Sequence, residues 1–145
     1  MGISIRTTLR SGGTLPTYAS KGSAGADLYA LLETPVTIGP GERCLIPTGI
    51  RLQIPEGYEG QVRPRSGLAV KHGVTVANAP GTIDSDYRGE IKVILVNLSD
   101  KPYTVESKDR IAQLVIAPVL QASFQISDSL DESARGENGF GSTGA

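Results

Sequence analysis

The sequence predicts an all-β fold, a sandwich or barrel of short strands. Three observations carry that reading. Apolar residues alternate with polar ones or gather in β-branched runs, turn clusters separate those runs at near-regular spacing, and only one short stretch has helical character. The 18 Gly and 9 Pro among 145 residues supply the turns.

In chain order, GIRLQIPEG sets Ile50, Leu52 and Ile54 against Arg51 and Gln53, the alternation of a half-buried strand. SGLAVKHG, from Ser66 to Gly73, reads as a short helix. EIKVILVNL is apolar on both faces from Val93 to Val96, which predicts a buried central strand. RIAQLVIAPVL has the same character, and Pro118 predicts that its end lies at an edge or bulge. TIGPGER, IPEGYEG, NAPGTIDSDYRG and LSDKPYT are the intervening turns. After Phe124 the chain becomes polar and rich in Gly and Ser, so residues 1–124 read as one β domain and 125–145 as a flexible arm.

The bulk numbers exclude several classes of function. A net charge of −1 gives no basic surface for a nucleic-acid backbone. One cysteine, Cys44, and one histidine, His72, leave no disulfide or structural zinc set, and both read as structural residues. MGISIRTTLR has no apolar core of signal-peptide length, and no later segment has the length or hydropathy of a membrane span. A cytoplasmic protein without membrane or nucleic-acid partners is expected.

Five stretches carry chemistry. AGADLYA sets Asp27 among small residues. RPRSGLA brings Arg65, the Ser66 hydroxyl and the first helical amides together, a combination suited to phosphate. NAPGTIDSDYRGEI follows a Pro-Gly turn with Asp84, Asp86, Tyr87 and Arg88, and DRIAQLV sets polar Gln113 within an apolar strand. Taken singly, each reads as ordinary: Asp27 a turn residue, Ser66 a helix N-cap, Tyr87 a packing aromatic, Gln113 an outward strand residue. The fifth, RGENGFGSTGA, contains GFGSTG, letter for letter a G-x-G-x-x-G dinucleotide fingerprint. That fingerprint needs a strand before it and a helix after it, and this one has neither.

In order and spacing the five stretches resemble the motifs of the trimeric dUTP diphosphatase (dUTPase) family, over almost the whole chain. Two positions depart: Lys108 stands where glycine is usual, and Asn138 replaces a glycine just before GFGSTG. Asn tolerates left-handed backbone, so that turn is expected to survive. The resemblance implies a jelly-roll-like β-barrel (the dUTPase-like β-clip), a homotrimer, and hydrolysis of dUTP to dUMP and diphosphate with Mg²⁺. It also implies a role in keeping uracil out of DNA and supplying dUMP for dTMP synthesis. Asp84 would be the general base that orients water and would contact the sugar 3′-hydroxyl. From the residues alone Asp86 is an equal rival, since alternate strand residues share a face.

The resemblance further assigns phosphate oxygens to Arg65, Ser66 and Gly67, with Gln113 assisting, and gives Asp27 an outer-shell contact to the metal through water. A β-hairpin from Val76 to Ile83 would read the uracil edge with its backbone and Asn78, with Thr82, Ile83 and Lys92 as further contacts. Tyr87 would lie against the deoxyribose and leave no room for a 2′-hydroxyl. The arm would close over a neighbouring subunit's ligand, Phe140 stacking on uracil while Arg135, Gly141, Ser142 and Thr143 embrace the phosphates. Two other readings share these residues: a dCTP deaminase on the same fold, mono- or bifunctional, and a non-catalytic nucleotide-binding regulator.

Overall fold

Two long strands with β-branched apolar runs organise the chain, and the shorter elements pair around them. The computed structural model describes residues 2–144, so the outermost residue of each expected domain lies outside it. The strands are β1 (Arg6–Leu9), β2 (Thr17–Tyr18), β3 (Ala26–Tyr29), β4 (Val36–Ile38), β5 (Arg43–Gln53) and β6 (Tyr58–Arg63). After the helix α1 (Ser66–His72) come β7 (Val74–Val76), β8 (Gly81–Ile83), β9 (Glu90–Asn97), β10 (Tyr103–Val105) and β11 (Arg110–Pro118). They form a four-stranded sheet ordered β1-β5-β9-β7, a five-stranded sheet ordered β2-β3-β11-β6-β8, and a β4–β10 ribbon. The fold is all-β and jelly-roll-like, as the sequence predicts. No helix among the described residues is long and apolar enough to cross a membrane.

The alternation seen in the sequence becomes the core. Ile46, Ile50 and Leu52 of β5, with Ile54 just beyond it, face Val93 and Leu95 of β9 inside the molecule. Burying each such side chain contributes about 1.5–3 kcal/mol. The second face of β9 departs from expectation: Ile94 and Val96 are only half-buried, and Leu45, which pairs with Ile94, is 53% exposed. The strand is interior to its sheet, but only one of its faces meets the core. β11 is central to its own sheet, and beyond Leu114 it pairs with β6 alone, so Pro118 ends at an open edge. That is where a residue without an N–H is tolerated.

Local polar chemistry fixes the bends. β5 shifts register between Pro47 and Arg51. There Gly49 has φ +74°, and a Cβ on it would collide with Leu31, so both conformation and space demand glycine. β9 stops at Asn97, a buried amide with all its groups used. Its Nδ2 donates to the carbonyls of Ile38 and Lys101, and its Oδ1 accepts from the Ser99 amide and hydroxyl. Full satisfaction removes the cost of burying it.

The expected hairpin from Val76 to Ile83 is not formed. Val76 pairs with Leu95 of β9, whereas Gly81 pairs with Val62 of β6, so the two arms belong to different sheets. The Ala77–Pro80 turn carries the chain from one sheet to the other.

Candidate functional site

Register across the five-stranded sheet brings three of the motifs into line. Asp27 of β3 lies opposite Gln113 of β11, and Gln113 lies opposite Arg63 of β6. Directly opposed residues share a face, so distant segments of sequence meet in one row. Gly25 in AGADLYA is required by that row, because a Cβ there would press on Gln113 at 3.0 Å.

Asp27 is the focus of the first group. It is 3% exposed, and one of its oxygens lies 3.3 Å from Arg65 Nε and the other 3.9 Å from Arg110 Nη1. Gln113 Nε2 donates weakly to the first oxygen at 3.4 Å. Arg65 Nη1 donates to the carbonyl of Arg110 at 3.3 Å, tying the second and fourth motifs together. The Arg65 Nε itself is buried and makes no hydrogen bond, so charge rather than hydrogen-bond geometry holds it on Asp27. Arg110 is a residue that sequence reasoning missed. A basic residue at the start of a strand looks like a solvated end until its partner, 83 positions earlier, is known.

The N-cap of α1 is Arg65, in extended backbone, and no side chain caps the helix. The reading of Ser66 as an N-cap is therefore corrected: it is the first helical residue, and its exposed side chain is not used in capping. Gly67 is exposed, and a Cβ on it would touch nothing within 4 Å. This chain's own packing gives no reason for glycine there.

The third motif forms a separate cleft of about 920 Å³ between the two larger sheets. Asn78, Gly81, Thr82, Ile83, Asp84, Tyr87 and Lys92 all line it. Arg10 and Glu90, paired at 3.6 Å, also line it and were not singled out from sequence. Tyr87 is fixed by its own loop. Its hydroxyl donates to the Glu90 carbonyl at 3.0 Å, and the ring occupies the space that any Cβ at Gly89 would need. Asp84 follows β8 at the start of a turn, where its carbonyl accepts the Tyr87 amide at 3.1 Å. Its carboxylate is exposed and makes no ion pair or hydrogen bond among the described residues. Asp86 lies in the same turn rather than on a strand; it shares a second cleft with Asp84, Glu56, Glu59 and Arg88 but does not line the first, which Asp84 does. The shared strand face expected for the two aspartates is therefore absent.

The two groups are well apart in one chain. Asp27 and β8 are separated by three inter-strand steps, and Ile83 pairs three residues along β6 from Arg63. At ~4.8 Å per strand and ~3.3 Å per residue, that is roughly 17 Å.

The fifth motif touches neither group. From Gln121 onward every described residue is exposed except Gly139, and Phe140 projects fully into solvent. Arg135 Nε donates to the Asn138 carbonyl at 2.8 Å, closing a local turn. The left-handed residues of this segment are Gly136, Phe140, Gly141 and Gly144, so the accommodation expected of Asn138 is not called upon. Lys108, the other departure, does adopt left-handed backbone, with φ +72°. A glycine would be free of strain there.

A family model described as dUTPase matches residues 12–144. A deoxyuridine 5'-triphosphate nucleotidohydrolase of Chlamydia pneumoniae is 63% identical over 138 residues, covering 94% of this chain and 95% of that relative. The corresponding protein of Roseobacter denitrificans is 59% identical over 131 residues, covering 90% of this chain and 86% of that relative. Among solved structures, a Staphylococcus bacteriophage 80alpha dUTPase with dUPNHPP matches with a TM-score of 0.88 at 27% identity, over 98% of this chain and 99% of that one. Fold, motif order and these similarities converge: the chain belongs to the dUTPase family.

Proposed function

We propose that Asp84 orients the water with which this dUTPase hydrolyses dUTP to dUMP and diphosphate. The observation that carries the assignment is position joined to freedom: Asp84, unlike Asp86, lines the cleft with Asn78, Gly81 and Tyr87, and its carboxylate is exposed and unpaired among the described residues. A base must reach a water proton in the complex, and a carboxylate already committed to cations could not do so without losing them. The water oxygen attacks the α-phosphorus, its proton passes to Asp84, and the bond from the α-phosphorus to the bridging oxygen of diphosphate breaks.

The remaining roles follow the same division. Arg65, the Ser66 hydroxyl, the Gly67 amide and Gln113 hold the phosphates. The open space over Gly67 supports close approach of a ligand to backbone. Asn78 and the backbone of Gly81–Ile83 read uracil, Tyr87 packs on the deoxyribose, and Lys92 borders the same cleft. Hydrogen bonding and shape together would reject other bases and the 2′-hydroxyl.

Mg²⁺ would travel on the triphosphate. No group of three or more His, Cys, Asp or Glu side chains is positioned for a metal among the described residues. That donor set fits an ion whose ligands come from phosphate and water. Asp27 would reach it through a water, and the bound ion would neutralise phosphate charge.

A homotrimer with shared sites accounts for the separation of the groups. The two groups lie roughly 17 Å apart within one chain, and in a trimer a nucleotide seated between subunits would meet one group from each. The arm supports the same reading. In LQASFQIS, Leu120, Ala122, Phe124 and Ile126 alternate with polar residues, yet Leu120, Phe124 and Ile126 are almost wholly exposed. Such a segment is a strand in want of a partner. Seated on a neighbouring copy, it would let residues 125–144 act as a lid, with Phe140 on the base and Arg135, Gly141, Ser142 and Thr143 on the phosphates.

A nucleotide panel tests the function. Diphosphate release from dUTP, with far slower turnover of dTTP, dCTP and UTP, is the expected result. Ammonia release from dCTP without dUTP hydrolysis would establish a deaminase instead.

A further inference from the structure

We propose that His72 and Tyr103 form a positioning pair that holds α1, and with it Arg65, Ser66 and Gly67, in the geometry that binds phosphate. The inference rests on reading those three residues as the phosphate-binding limb.

The helix is weakly anchored for an element with that task. Of its seven residues only Leu68 is buried, and Val70 is 83% exposed. A single apolar anchor fixes a point on a short helix but leaves its direction free. The direction is set at the far end. Gly73 closes the helix in left-handed backbone, its amide donating to the Ala69 carbonyl at 3.0 Å and its carbonyl accepting from Leu98 at 2.8 Å. One residue earlier, the His72 ring packs on Tyr103 with centroids 4.9 Å apart and planes tilted by 49°.

Tyr103 is well placed to serve both ends. It belongs to β10, where it pairs with Ile38 of β4, a side chain in the core. Burial, and then the nearby Asp109 carboxylate, raise its phenol above the ordinary value, while Arg65 acts in the opposite direction. His72 is exposed and stands on the same short helix as Ser66 and Gly67, three residues beyond the second motif.

An aromatic pair in this geometry shifts an equilibrium by roughly two- to tenfold. His72→Ala in the full chain should therefore raise KM for dUTP by about fivefold, with kcat and thermal midpoint unchanged. His72→Phe should restore KM, and His72→Ala in a Tyr103→Leu background should add nothing further. Arg65→Ala is the companion variant. If it raises KM while His72→Ala does not, the positioning pair is refuted and the phosphate limb stands. If Arg65→Ala leaves KM unchanged, the reading of the limb itself fails. A His72→Ala loss that appears in kcat and thermal midpoint instead of KM would also overturn the proposal.

Discussion

Asp27 and Asp84 belong to the same five-stranded system, yet their surroundings are opposite. Asp27 is buried between two guanidinium groups, with an amide alongside. Asp84 stands in an open cleft with its carboxylate uncommitted. A buried carboxylate has to be paired, because desolvation would otherwise exclude its charged form, and Asp27 is paired with Arg65 and Arg110. An exposed carboxylate can stay unpaired at no such cost and remains available to a ligand. On the proposed assignment, the contrast separates a residue that would organise the site from one that would react in it.

Removing the lid tests the boundary of that division. Deleting residues from Arg135 onward should reduce kcat/KM by about 10² or more, because water exclusion and phosphate contacts are lost together. The thermal midpoint should not move, since all the described residues of that segment but Gly139 are exposed. Full activity in the shortened protein would show that Asp84 and the phosphate limb suffice without a lid.

Asp27→Asn tests the organising role. It should cost about 1–2 kcal/mol in urea denaturation, less than for a fully buried pair because Arg110 is more than half exposed. A roughly tenfold loss in activity should accompany it as Arg65 loses its support. Unchanged stability with a large activity loss would instead make Asp27 a participant in chemistry and blur the contrast.

The smallest effect concerns the turn before β11. Lys108→Gly should stabilise the fold by up to about 1 kcal/mol, by removing a side chain from left-handed backbone. Equilibrium unfolding would read this directly. The change should leave KM untouched, because the Lys108 side chain makes no ion pair or hydrogen bond to the Asp27 group among the described residues.

The parts of the molecule legible in sequence are those where periodicity and burial coincide. Ile50, Leu52 and Ile54 announced their strand because each second residue meets the core. The first half of β5 and the short strands β1 to β4 were not visible, and β6 and β10 begin inside IPEGYEG and LSDKPYT, which were read as turns; strands of two to four residues leave too few positions for a pattern. The turn at Ala77–Pro80 was legible as a turn, but not the change of sheet within it. Local turn chemistry says that the chain bends and is silent about which strands receive its arms. The same limit hid Arg110, whose importance lies in a partner across the sheet, and the separation of the motifs into three groups. Conversely, the left-handed position at Lys108 explains in backbone terms a departure that appeared in sequence as a mere change of residue.

Asp84→Asn tests the central claim most directly, measured as steady-state hydrolysis of dUTP alongside thermal unfolding. The amide keeps the shape of the side chain but cannot take the proton from water. The account predicts a fall in kcat of about 10² to 10⁴ with an unchanged thermal midpoint. Turnover equal to that of the unaltered chain would contradict it and return the role to another group.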